Sequence, residues 1–257
     1  MMNSRFARHA AHALVSLTAL LATATPALAL NVQPVVVDLQ TTGRRASAIV
    51  TLQNTFPDTV PVEVTVHPVN VVNGELQEDE NAEGDDLLVF PSQATLAANQ
   101  SQAFRVQWIG QPAAGESKHF YVTIAQLPVT MPDGQNTIQV LHRFKVLVSV
   151  GSASETPSLK IVEATIGKDA QGKPQPVVKV TNDGGTYGYL ASNRMTVVER
   201  RGDGTEAYRK TFEPEEIRES MGLGLVPSKA SRILPMNVEL PDSSGTLSVE
   251  LNSAGRK

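Results

Sequence analysis

The sequence predicts an all-β protein built as two antiparallel β-sandwiches in tandem. Three observations carry that prediction. Apolar and polar residues alternate with a period of two in several short stretches. Clusters of turn-forming residues separate those stretches, and no window of a dozen residues holds a convincing 3.6-residue apolar repeat. The composition breaks once, at GSASETPS (151–158), a small, polar, proline-containing stretch that divides two strand-rich halves.

The first 29 residues stand apart from the fold. Arg5 and Arg8 form a basic start, Ala13 to Leu21 an apolar centre, and Ala27-Leu28-Ala29 a small-x-small cleavage site, the three parts of a secretory signal. The expected mature chain is Leu30 to Lys257, exported and soluble, because no later segment approaches the roughly 20 apolar residues of a membrane helix. An exported chain with no cysteine has no disulfides, no thiol nucleophile and no cysteine-based metal site, so its stability must come from burial. Loss of Arg5 and Arg8 moves the formal charge from -4 to -6, which argues against nucleic acid as a partner.

Within the first half, Val60, Val62, Val64 and Val66 face one way while Pro61, Glu63 and Thr65 face the other. The same alternation appears at Ala46, Ala48, Val50 and Leu52, at Phe104, Val106 and Trp108, and at Phe120, Val122 and Ile124. NTFPDT, VVNGE, LAANQ and GQPAAGES supply the turns between them. GELQEDENAEGDD (74–86) reads as a solvated acidic loop, since its acids do not follow the order of a calcium-binding loop. NTIQVLHRFKVLVSV (136–150) reads as one long strand with Arg143 and Lys145 in its middle. In the second half LKIVEATI, PVVKVTN, ASNRMTVVER, EAYRKTF and TLSVEL are the expected strands, joined by turns at KDAQGKPQ, NDGGTYG, RRGDGT and LPDSSG. The Arg201-Gly202-Asp203 triplet matches an adhesive motif, but GDG is first of all a good hairpin turn.

Enzyme chemistry finds little support. The mature chain has three histidines, His67, His119 and His142, and none stands in a nucleophile, zinc or acid-base motif. The pairs Asp85-Asp86 and Glu215-Glu216 are consecutive and do not converge as a glycosidase pair would. No catalytic residue, metal site or cofactor is expected. An exported two-domain binding module, such as an adhesin or structural surface protein, requires the same two sandwiches and is the alternative reading.

Particular residues go further. FPSQATLAANQSQAFRVQW, then GESKHFYVTIAQLPV, then IQVLHRFKVLVSV, followed by a short linker and a second β-domain, resembles the periplasmic, PapD-like chaperones of chaperone-usher pilus assembly. The resemblance rests on Pro91, Leu96 and Arg105, and on Glu116 ahead of the aromatic strand with Phe120 and Tyr121 that ends at Leu127-Pro128. It is looser in the second half, through Val180 to Asn182 and LVPSKASR (225–232).

The resemblance implies two immunoglobulin-like domains, 30–150 and 159–257, joined by the linker 151–158. It further implies that the last strand of the first domain is lent to a pilin subunit that lacks one, a mode of strand addition in which main-chain bonds give affinity and alternate side chains fill a groove. Carried over residue by residue, Ile138, Val140 and His142 become the donor residues and Lys145 the anchor for the subunit's terminal carboxylate. Glu116 and Arg143 become residues of the cleft between the domains. Ile138 and Val140 have the opposite parity to Lys145, so either a bulge intervenes or groove and anchor meet different sides of the strand. The arginine that the family's first strand contributes is absent, with Val36 or Asp38 in its place and Arg44 and Arg45 across a turn. Ser149 stands where an arginine is expected before the linker. The implied partners are pilin or fimbrial subunits and an outer-membrane usher, with no membrane insertion once the signal is cleaved. The donor edge could also be covered by a second copy of the chain in a self-capping dimer.

Overall fold

The computed structural model describes residues 29–111, 115–129 and 140–253. The signal segment, Ile138 and most of the PVTMPDGQNT connection lie outside these residues.

The first half holds β1 (Leu30–Gln33), β2 (Val36–Gln40), β3 (Ser47–Asn54), β4 (Val60–Val72), β5 (Glu75–Glu78), β6 (Leu87–Phe90), β7 (Gln93–Leu96), β8 (Ser101–Trp108), β9 (Lys118–Gln126) and β10 (Arg143–Gly151). They form two facing sheets, one ordered β1-β3-β8-β6 and the other β2-β10-β9-β4-β5, with β7 also paired to β4. The first strand serves both sheets because Pro34, with no N–H to give a ladder, separates β1 from β2. The alternating residues meet between the sheets as expected: Val50, Leu52, Val62, Phe104, Val106, Val122 and Ile124 are buried in one cluster. Asn54 closes the turn after β3. Its side-chain amide donates to the carbonyls of Asp58, Leu96 and Ala97 at 2.8, 3.2 and 3.0 Å, and its oxygen accepts the Phe56 N–H at 2.9 Å.

The second half holds β11 (Leu159–Lys168), β12 (Pro174–Asn182), β13 (Gly188–Tyr189), β14 (Asn193–Arg200), β15 (Glu206–Phe212), α1 (Pro214–Met221), β16 (Leu225–Val226), β17 (Ser231–Pro235) and β18 (Thr246–Ser253). Its sheets run β11-β12-β17 and β15-β14-β18, with a short β13-β16 pair. A second buried cluster, with Val178, Val180, Met195, Val197 and Ile217, fills this half. The molecule is therefore all-β, two immunoglobulin-like sandwiches in tandem, with one short α-helix among the described residues.

Three local expectations change. Ala46 lies in a short helical turn, Gly43–Ala46, and β3 starts one residue later. The helix α1 was not expected, since eight residues are too few to display a period. Its signals are local: Pro214 opens it, and the Glu216 carboxylate accepts the Glu213 N–H at 3.0 Å. Of the long strand expected over 136–150, the described residues form strand from Arg143, with Val140 to His142 ahead of it as irregular chain; 136–139 lie outside the described residues. The physical reason is that the His142 N–H is directed to the Gln126 side chain, at 3.3 Å.

Candidate functional site

The strand β10 has two unlike edges. Along one it pairs antiparallel with β9 from Arg143 to Val150. Along the other it pairs parallel with β2, but only from Leu147 onward. The Gln126 N–H donates to His142 O at 2.8 Å and the Leu147 N–H to Val35 O at 3.0 Å, so even-numbered residues bond β9 and odd-numbered residues face the other way. The main-chain groups of Arg143 and Lys145 therefore point to an edge that no strand covers among the described residues. Such an edge is a template for pairing with another chain.

Side chains divide by the same parity. Val146, Val148 and Val150 are buried in the first core, and Phe144 packs against it. His142 continues that side, stacked on Phe144 with centroids 6.3 Å apart and tilted against Phe56 at 5.5 Å. Val140, beyond the strand, is 72% exposed. Arg143 and Lys145 are exposed on the opposite face. No bulge interrupts β10 against β9, so Phe144 and Lys145 look to different sides of one regular strand, and His142, just ahead of it, stacks on Phe144.

The face carrying Lys145 turns toward the second half. Lys145 Nζ sits 5.5 Å from the centre of the Tyr121 ring and forms an ion pair with Glu78 of β5. Glu78's side chain is only 9% exposed, against 42% for Lys145. The β4–β5 hairpin that carries Glu78 turns at Asn73 and Gly74, with Gly74 at a φ of 84°. Its Gly74 carbonyl accepts the Ile233 N–H of β17 at 2.9 Å, which ties the hairpin to the second half.

Further contacts hold the two halves together. Asp38 accepts hydrogen bonds from the Tyr187 and Tyr189 hydroxyls at 2.8 and 2.6 Å. Burial first, and then the Asp38 carboxylate, push both phenols well above their ordinary range. Ser149 Oγ lies 3.0 Å from His119 Nδ1, His119 Nε2 lies 3.0 Å from Ser117 Oγ, and Ser117 meets Ser228 through both hydroxyl and main chain. Tyr187 stands edge-on to His119 at 5.4 Å. At the end of β10, Gly151 leaves no room for a side chain, since a Cβ there would meet Thr186 Oγ1 at 2.2 Å. Thus the positions where charged residues were expected, Asp38 and Ser149, join neutral hydroxyl and imidazole groups across the junction.

Of the predicted site residues, Lys145 lies in the cleft, beside Tyr121 and Glu78, which were not among them. Glu116 and Arg143 are exposed and form no ion pair among the described residues. Glu78 was missed, because it lies in the acidic run read as solvated loop and 67 residues from its partner. Sequence gave no sign of the Asp38–Tyr187–Tyr189 group either.

His119 supplies a measurable consequence. It is 5% exposed, and burial lowers its pKa to about 3. An unfolded histidine takes a proton near pH 6.5, whereas the folded one stays neutral. The stability it contributes is therefore complete above about pH 6.5 and is lost progressively as pH falls toward 3. Each pH unit in that window removes about 1.4 kcal/mol, so between pH 7.5 and 5 this group should cost about 2 kcal/mol. Urea unfolding of wild type and His119→Gln at the two pH values checks this: the variant should lack that part of the decline. An equal decline in both would place the pH sensitivity elsewhere.

The open-edged, two-sandwich architecture can be compared with known proteins. Residues 29–149 match the family described as pili and flagellar-assembly chaperone, PapD N-terminal domain. The match covers the first domain of the chain, which is similar to the N-terminal domain of PapD-like chaperones. No curated protein matches the sequence. Solved structures similar to the whole chain include the class 5 fimbriae chaperone CfaA, at 15% identity and a TM-score of 0.52 over 89% of this chain and 94% of that one. Another is the Salmonella enterica SafB chaperone, solved with the SafA pilin, at 17% identity and a TM-score of 0.51 over 83% and 86%. A third comes from the CsuC–CsuE chaperone and tip-subunit pre-assembly complex of Acinetobacter baumannii, at 13% identity and a TM-score of 0.50 over 86% and 97%. At these identities they report shared fold.

Proposed function

We propose that the protein is a periplasmic chaperone that receives pilin subunits on the open edge of β10, completes their sandwich with its own strand, and passes them to an outer-membrane usher. The observation that carries this reading is the half-paired strand: β2 stops at Leu147, and the chain ahead of it offers free main-chain groups with apolar side chains on one face and Lys145 on the other. His142, stacked on Phe144, continues the side that fills the first core, and a subunit's groove would receive it together with exposed Val140 and with Ile138. Lys145, on the other face, is the anchor for a terminal carboxylate, a cation suited to a charge-assisted hydrogen bond. Groove and anchor then meet opposite sides of one strand. The domains of this proposal are 30–150 and 159–257, with 151–158 between them and 1–29 removed on export. A second copy of the chain could cover the same edge when no subunit is present.

The test is co-expression of a tagged chain, with its first 29 residues intact, in the periplasm of a cell that carries its usher and subunits. A subunit whose isolated sandwich lacks a strand should copurify in equal amount, and an excess of a synthetic peptide equivalent to that missing strand should release it. Copurification of nothing, or release by salt alone, overturns the reading.

A further inference from the structure

We propose that Glu78 is an internal stand-in for the subunit carboxylate, so that capture is a displacement: the arriving terminus takes Lys145 and releases Glu78. This rests on the reading that Lys145 anchors a carboxylate, and adds what that cation does before a subunit arrives.

Glu78 is a nearly buried carboxylate whose ion partner among the described residues is Lys145. A carboxylate loses stability on burial unless a cation or donors compensate, so Glu78 has reason to hold Lys145 and not simply to lie near it. The pair spans 67 residues and joins two strands at different places in the sheet order, β5 at its end and β10 beyond β4 and β9. No local propensity brings them together. A second carboxylate arriving at the same ammonium would sit beside the first, and two carboxylates in one partly desolvated place repel. The ammonium has donors for both, but the electrostatics favour exchange over sharing.

Two consequences follow from this arrangement. The free protein does not leave an unpaired lysine on its exposed edge, so weak anions must compete with an intramolecular carboxylate before they can bind. Exchange also bears on the second domain, because Glu78 sits on the hairpin whose Gly74 carbonyl holds Ile233 of β17. Release at Lys145 therefore loosens one end of an element fastened at the other.

The experiment uses the full mature chain and a defined probe, a synthetic pentapeptide of alternating valine and threonine with a free C-terminal carboxylate, together with its C-terminal amide. Both are titrated into wild type and Glu78→Gln while the Lys145 and Tyr121 amide resonances are followed. The free acid should bind wild type more tightly than the amide does. Glu78→Gln should tighten the acid by about three- to thirty-fold and leave the amide unchanged. If the acid outbinds the amide in wild type but Glu78→Gln gives no tightening, displacement is overturned while the carboxylate reading stands. If acid and amide behave alike in wild type, or neither shifts Lys145 at the highest soluble concentration, the carboxylate reading itself falls and the displacement with it. Should the glutamine variant fail to fold, Glu78→Asp keeps the charge and shortens its reach, and the same acid-specific tightening is expected at the lower end of the range; its absence counts against displacement.

Discussion

Replacing both Ile138 and Val140 with aspartate should abolish subunit capture and leave the chain folded. In the proposed complex these side chains fill apolar sites of the subunit, and a carboxylate in such a site has neither cation nor donors. The penalty for an uncompensated buried charge is at least about 3 kcal/mol each, so the pair together should weaken binding by four orders of magnitude or more. Val140 is already 72% exposed in the free chain, so its replacement removes no core contact there. Copurification and a urea unfolding curve, measured on the same preparation, separate the two outcomes. Loss of the subunit with an unchanged unfolding midpoint supports the assignment. A variant that no longer folds would place these residues in the protein's own core and move the donor face to Gln139, Leu141 and Arg143.

How much of this was legible in the sequence depends on the distance over which each feature is determined. Val60, Val62 and Val64 announce a sheet face because alternation is a property of neighbouring residues, and all three are buried as that pattern requires. The end of β10 at Gly151 falls where the composition changes locally, at GSASETPS. What the cleft does was not legible. Asp38 meets Tyr187 and Tyr189 across 149 and 151 residues, and Glu78 meets Lys145 across 67. No periodicity encodes such pairings, and an acidic run gives no sign of which one of its carboxylates the fold will bury. Lys145 was singled out by resemblance, not by physics alone, because a lysine on an edge strand is also a common guard against unwanted pairing. The start of β10 was misjudged for a different reason: the apolar alternation continues through 138–142, but the main chain at His142 is directed to a side chain of β9.

Lys145→Ala should weaken subunit capture by about ten- to a hundred-fold, from the roughly 1.5 to 3 kcal/mol of a charge-assisted hydrogen bond to a carboxylate. Glu78 complicates the interpretation in both directions. Wild-type Lys145 must give up Glu78 before it takes the subunit, which reduces the net gain. The alanine variant leaves Glu78 nearly buried and unpaired where the subunit's carboxylate would arrive, which increases the apparent loss. The double variant Lys145→Ala/Glu78→Gln removes that residual charge and should bind better than Lys145→Ala alone, though still less well than wild type. Amidation of the subunit's C-terminus closes the argument as a double-mutant cycle. It should weaken wild-type binding by a similar factor and have almost no further effect on the Lys145→Ala/Glu78→Gln protein, because both changes remove one interaction. If the two losses add instead, Lys145 is not the carboxylate's partner, and its pairing with Glu78 is then a structural tie between β10 and the β4–β5 hairpin, with the lysine serving to guard an exposed edge.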